Sequence, residues 1–173
     1  MQKLISLLGL EYRFRTENLL RYFLQCGLAT IVVLIILLVL DTFTQTVLIA
    51  ALGASTFIAF ALPRSVHSDP RHMIGGYLIG IVSGGLLGRL EQALHFHTVA
   101  ATHQEMVVFG AVATGVAMFL MVITKTEHPP AAALALGLVL NTWDWPTLVF
   151  VMCGITFLSI IKQIVMPLLM DLL

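Results

Sequence analysis

The chain has 173 residues, of which 59% are hydrophobic and only 10% charged, with nine Lys+Arg against nine Asp+Glu and a mean hydropathy of +1.00. Soluble domains carry about 25% charged residues, so this composition describes a membrane protein. The balanced charge leaves no basic excess to neutralise a phosphate backbone, which excludes a nucleic-acid partner.

A helix needs roughly 20 residues to cross about 30 Å of hydrocarbon. The expected fold is therefore all-α, a polytopic transmembrane bundle of five to six membrane segments with short connections, and the lipid bilayer is its solvent. The amino-terminal segment, 1–18, sets Arg13 and Arg15 among Leu7, Leu8, Tyr12 and Phe14, with Arg21 just beyond. That pattern suits an amphipathic helix lying at the headgroups. Glu11 and Glu17 follow the short apolar run without a small-residue cleavage site, so no cleaved signal peptide is expected. A single transmembrane domain, 19–173, follows.

Apolar runs appear at Tyr22–Leu40, Thr46–Leu62, Met73–Gly88, Met106–Ile123 and from Thr147 onward. Cys26 and Cys153 fall inside them and read as small packing residues rather than a disulfide. The third run places Gly76, Gly80, Gly84 and Gly88 at spacing four, on one helix face, with Gly75 and Gly85 beside them. Membrane helices associate through such close backbone approach, so this face predicts a tight seam, with Ala50/Ala54 and Ala111/Gly115 as weaker partner faces. A seam that needs a partner also suggests a homo-oligomer, although the partner can equally lie within the chain. Ala131–Leu140, between His128-Pro129-Pro130 and Asn141, is too short for an ordinary span and is expected to be a short or re-entrant helix.

Arg64, Arg71 and Lys125 fall on one side of the bundle, which the positive-inside rule makes cytoplasmic together with the amino terminus; Arg89 is the exception. The stretches Phe57–Arg64 and Met118–Lys125 each end a helix on a basic residue and lead to a proline that starts another, a weak parallel repeat.

The densest polar cluster is Thr124-Lys125-Thr126-Glu127-His128 before the two prolines. Proline suits a helix start, and the N–H groups of Ala131, Ala132 and Ala133 would lie at the positive end of the helix dipole, an anion site to which Lys125, Thr126 and His128 add a charge, a hydroxyl and an imidazole. From the matching loop, Arg64, Ser65 and Arg71 would complete it, with Asp69 as the N-cap of the next helix. Glu127 and Asp69 are candidates for a proton relay. In the third loop, Glu91, His95, His97, His103 and Glu105 form a weak metal-type cluster, and neither a metal nor another cofactor is expected. Lys162 is expected to snorkel to the interface, with an internal ion-pair role as the alternative. No Ser/His/Asp arrangement, phosphate-binding loop or dinucleotide fingerprint is present, so no enzyme is expected.

His128-Pro129-Pro130-Ala131, the Gly53-Ala54-Ser55 step, and Ser65 through Pro70-Arg71 to Gly75-Gly76 resemble the signature features of the HPP family of small integral membrane proteins, over roughly Leu19 to Asn141. The chain departs from the family pattern at Val66 and Asp69, where a proline and a glutamine are usual, and at Ala132, where a glycine is usual. The resemblance implies a compact helical membrane domain, and chloroplast and cyanobacterial members are associated with nitrite transport. The expected function is thus a transporter or channel for a small inorganic anion, nitrite first, in a bacterial inner membrane. The rival expectation is a non-transporting scaffold or sensor subunit that recruits a cytoplasmic partner.

Overall fold

A computed structural model of the chain describes residues 16–40, 46–94 and 99–172, with side chains at 23–36, 48–94 and 105–172. Among these residues the regular structure is entirely helical. It comprises α1 (Thr16–Leu40), α2 (Thr46–Ala61), α3 (Pro70–Ala93), α4 (Val99–Thr124), α5 (Pro129–Leu140) and α6 (Trp145–Val165), with single 3-10 turns at Val66–Ser68 and Met166–Leu168. Pro70–Ala93, Glu105–Thr124 and Trp145–Leu168 are long and apolar enough to cross a membrane, and Phe23–Ile36, Leu48–Ala61 and Pro129–Leu140 are shorter apolar helices. The interfacial helix expected over 1–18 lies outside the described residues, apart from the start of α1.

Local sequence explains the helix ends. Pro129 and Pro130 open α5, where a missing N–H costs nothing. Asp144 caps α6: its carboxylate accepts from the Thr147 N–H at 3.0 Å and from the Thr147 hydroxyl, and these bonds hold its carboxyl below the usual carboxylate range. At the end of α4, the Thr126 N–H donates to Met121 O and the Lys125 N–H to Val122 O, with Lys125 at φ 54°. This is a Schellman closure with a lysine in the position glycine usually takes.

At the centre, α3 touches α4, α5 and α6, while α5 touches α2, α3 and α4. The glycine seam joins α3 to α5. A Cβ at Gly80 would lie 2.5 Å from Ala131 O and one at Gly84 2.5 Å from Ala135 O, so hydrogen alone fits there, while one at Gly88 would stand tightly 3.0 Å from Leu138 O. Because the contacts advance together along both helices, α3 and α5 run parallel. The partner of the glycine face is thus within the chain, and the face gives no reason to invoke a second copy.

The same register settles the course of α5. It is short, at 12 residues or about 18 Å, but it starts beside Gly76 and ends beside Gly88, so it traverses the seam rather than re-entering. The ends of α2, α4 and α6 and the starts of α3 and α5 gather at one end of the bundle, with Arg64, Arg71 and Lys125; we call it the basic end. Trp143, Asp144 and Trp145 mark the opposite end. The carboxy-terminal segment closes onto the basic end, where the Leu172 N–H donates to Ala61 O and Gln25 Nε2 donates to Phe60 O and Met170 O.

Several packing expectations are corrected. Ala50, Ala54, Ala111 and Gly115 are exposed rather than packed, and a Cβ at Gly115 would touch nothing within 4 Å. Cys26 and Cys153 are free and face outward, as do Leu86, Phe119, Val122 and Ile164. An apolar exterior of this kind is what lipid contact requires.

Candidate functional site

The bundle's most concentrated polar interior lies beneath the basic end. Ser55 sits six residues before the end of α2 and Gly76 six residues after the start of α3, so both are about 9 Å inside the helix ends. The loop between α4 and α5 dips to that depth: a Cβ at Gly76 would lie 2.7 Å from His128 Cβ and 3.1 Å from Thr126 O. His128 is fully buried there, as are Ser55 and Tyr77.

Their hydrogen bonds form a chain. His128 Nδ1 lies 2.8 Å from the carbonyl of His67, which only accepts, so Nδ1 carries the proton and donates. His128 Nε2 lies 2.8 Å from Ser55 Oγ, which is itself 2.8 Å from the Tyr77 hydroxyl and 3.0 Å from Ala51 O. With a neutral imidazole, Tyr77 donates to Ser55 and Ser55 donates to Nε2. Protonation of Nε2 would reverse that last bond, and the Ser55 hydroxyl would turn to Ala51 O. The Tyr77 and His128 rings are also 5.7 Å apart. One serine rotor therefore serves both states of the histidine.

Around this pin the two proline-led loops clasp each other. His67 Nδ1 donates to Glu127 O at 2.8 Å, reciprocating the His128 bond to His67 O. His72 Nε2 is 3.5 Å from the Glu127 carboxylate, its ring lies edge-on to His67 at 6.3 Å, and its buried Nδ1 has no hydrogen-bond partner among the described residues. Three imidazoles thus occupy one end of the bundle. The two loops do share a side, as the parallel repeat requires, and the helices that follow them run parallel.

The residues read as an anion site all lie at or next to this end, but several of their polar groups are already bonded within the protein. Pro129 and Pro130 offer no N–H, and the Ala131 N–H donates to His128 O at 2.9 Å. Ala131 is buried, Ala132 half-buried, and Ala133 exposed on the outer surface. Arg71 Nη2 donates to Thr124 O at 3.0 Å, Thr126 Oγ1 is 2.8 Å from Thr124 Oγ1, and Ser65 Oγ accepts from the His67 N–H. The Arg64 N–H donates to the Asp171 carboxylate, and its guanidinium stands 4.0 Å from it. Lys125 is exposed at the rim.

Two acid–base expectations change. Asp69 precedes α3 but its carboxylate makes no cap bond. It faces Lys162 Nζ at 4.0 Å, and Lys162 is 3% exposed, so the buried lysine pairs with a carboxylate at the surface of the basic end. Burial of the lysine favours pairing over capping, because an unpaired internal ammonium is costly.

At the opposite end, Glu91, Gln92, Met106, Asn141 and Thr142 line a cavity of about 350 Å³. Glu105 Oε2 is buried without a hydrogen-bond partner among the described residues. His95, His97 and His103 lie outside the described side chains, and no group of three or more metal-ligating residues occurs among those described. Between the two ends the seam is closed by Ala131, Leu134, Ala135 and Leu138. Midway along α3, the Ser83 hydroxyl is buried without a hydrogen-bond partner among the described residues.

Tyr77 and Ser83 carry no signal in the sequence beyond a polar atom in an apolar helix, and sequence reasoning passed over both. Ser55 was marked through its family resemblance, not by chemistry.

A helical membrane bundle with a buried histidine pin where two proline-started helices meet the glycine seam is the class of protein this geometry defines. The chain belongs to the HPP family, whose transmembrane region matches residues 13–170. The match takes in α6, beyond the resemblance read from local motifs. The chain is also similar to a transmembrane protein of Dictyostelium discoideum, at 33% identity over 90 residues, covering 52% of this chain and 29% of that relative. The matched part is thus under a third of the relative's length. No solved structure matches.

Proposed function

We propose that the protein carries a small inorganic anion, nitrite first, across the membrane, and that the basic end collects it. The observation that carries this reading is the buried His128–Ser55–Tyr77 chain inside an apolar bundle, under a rim that holds Arg64, Arg71 and Lys125. Polar and ionisable groups inside membrane helices are expensive to keep and by default mark an ion path. A rim of three cations concentrates anions before they meet that interior.

The arrangement corresponds to a closed state, with Arg71 and the Ala131 N–H bonded to protein oxygens and Lys125 free at the rim. An entering anion would take over the bonds Arg71 and Thr126 now make at the end of α4, and the Ser55 rotor would let His128 gain or lose a proton as it passes. Ser83, and then the cavity at Glu91 and Asn141, lie further along α3 towards the far end. By the positive-inside rule the basic end faces the cytoplasm of a bacterial inner membrane. Homo-oligomer formation stays part of the proposal only through the exposed small-residue faces at Ala50/Ala54 and Ala111/Gly115.

The test is uptake of nitrite, nitrate, formate and chloride into proteoliposomes, with and without a proton gradient. Selective nitrite flux that falls at least tenfold in His128→Ala, in protein shown to be folded, is the expected result. Absence of flux for every anion would remove the proposal.

One observation favours a second reading, a scaffold or sensor subunit. The His128 ring has both nitrogens bonded and no exposure, as a purely structural pin would. Under that reading no anion is carried, and a stoichiometric soluble partner copurifies.

A further inference from the structure

Arg89 stands apart from the other cations of the chain. Lys3, Arg13, Arg15 and Arg21 precede or begin the first apolar run, and Arg64, Arg71, Lys125 and Lys162 gather at or near the basic end. Among the described residues Arg89 alone of the cations lies at the opposite end, exposed on α3. Its guanidinium carbon is 5.3 Å from the centroid of Trp143 and 5.9 Å from that of Trp145, and the two indoles meet edge to face at 6.3 Å. These are the only two tryptophans in the chain. Trp143 is anchored, since its Nε1 donates to Leu138 O at 2.9 Å. Such a stack holds a cation at the headgroup level, where indoles settle.

Below it runs an apolar groove. Trp145 forms one end of a depression of about 550 Å³ between α3 and α6, walled by Leu78 and Ile81 on one side and by Met152, Phe157 and Ile160 on the other. From Trp145 to Ile160 along α6 is about 22 Å, more than the roughly 15 Å depth of one leaflet's hydrocarbon. Leu78 is 50% exposed, Trp145 67% and Ile160 51%, so the groove opens outward along its length. Asp144, the acidic neighbour, has its carboxylate committed to Thr147 and the start of α6.

We propose that the α3–α6 groove is a binding site for one anionic phospholipid, with an acyl chain laid along α6 towards Phe157 and the phosphate held by Arg89 over the two indoles. Charge decides the occupant. The groove accepts any acyl chain, but an exposed guanidinium at its headgroup end favours a lipid with net negative charge over a zwitterionic one, by about fivefold for a single basic side chain at the surface. The inference is independent of the transport reading, because it uses a different face of the bundle and neither His128 nor the loops at the basic end.

Both tryptophans sit at the proposed headgroup, so intrinsic fluorescence reports occupancy without a label on the protein. The protein is reconstituted in phosphatidylcholine vesicles containing a small, equal fraction of either phosphatidylglycerol or phosphatidylcholine with a doxyl quencher high on the acyl chain. Quenching by the labelled phosphatidylglycerol is expected at about fivefold lower lipid fraction. Arg89→Gln should bring the two lipids together, and Arg89→Lys should restore most of the difference. Equal quenching of the wild type by both lipids, or a preference unchanged in Arg89→Gln, would overturn the proposal. Should Arg89→Gln not fold, the wild type alone decides. Its preference must shrink as salt is raised from 0.01 M to 1 M, over which the screening length falls from about 30 Å to about 3 Å, and a salt-independent preference would equally overturn the site.

Discussion

Lys125 shows how one residue is held in place by its neighbours. Its φ of 54° lies in the left-handed region, where a side chain costs about 1–2 kcal/mol relative to glycine. The Schellman closure of α4 requires that conformation and has been built with a lysine. Lys125→Gly is therefore expected to stabilise the folded protein by about 1 kcal/mol, raising its unfolding temperature in detergent, while Lys125→Ala relieves no strain. If the lysine serves the anion rim, the same glycine variant transports more slowly although it is more stable. A variant neither more stable nor slower would remove both statements. His128 differs in kind, since its ring joins α2, α3 and two loops through Ser55, Tyr77 and the carbonyl of His67. Its surroundings, not its own conformation, keep it where it is.

Among the elements, α3 and α5 form the pair on which the site depends. Gly80 and Gly84 let the backbone of α5 come close enough that a methyl group would stand 2.5 Å from a carbonyl oxygen. Gly80→Ala is expected to separate the helices and destabilise the bundle by about 3 kcal/mol or more, the upper range for overpacking a tight core. Gly53→Ala, where an added Cβ meets nothing within 4 Å, should leave stability nearly unchanged. Thermal unfolding of the two variants side by side checks the contrast, and equal losses would mean that the seam is not where α3 and α5 meet. The seam also hangs the His-Pro-Pro loop, because α5 starts where Gly76 leaves room for His128. Loosening it at Gly80 should therefore disturb the polar pin one turn away.

For the whole molecule, the decisive feature is that α5 runs along the seam parallel to α3, so that α6 runs back and the carboxy-terminal segment returns to the basic end. The Asp171 carboxylate at Arg64 and the Leu172 N–H at Ala61 O are its visible consequences. A reporter fluorescent only in the cytoplasm, fused after α6, should fluoresce in a bacterial host, and one fused after Glu91 should not. The opposite pattern would invert the proposed orientation without altering the fold.

Much of this was legible in the sequence wherever the relevant spacing is local. Apolar runs long enough for lipid, glycine every fourth residue, and proline at a helix start each act within a turn or two, so the helices, the face of the seam and the start of α5 could be read directly. Partners could not, because they depend on which segments meet. His128 was marked by its own neighbours, but Ser55, 73 positions away, became its hydrogen-bond partner only when α2 and α5 packed together. Asp69 has the position of a cap, but its carboxylate makes no cap bond and stands 4.0 Å from Lys162, a residue 93 positions away that only packing brings near. The glycine face called for a partner without naming one, and tertiary packing supplied α5 where a second copy would also have served. Composition and periodicity by themselves made this chain a helical membrane protein with a tight seam. Only the tertiary structure decided what the seam grips and which polar groups it buries, because close approach and desolvation belong to pairs of segments rather than to any one of them.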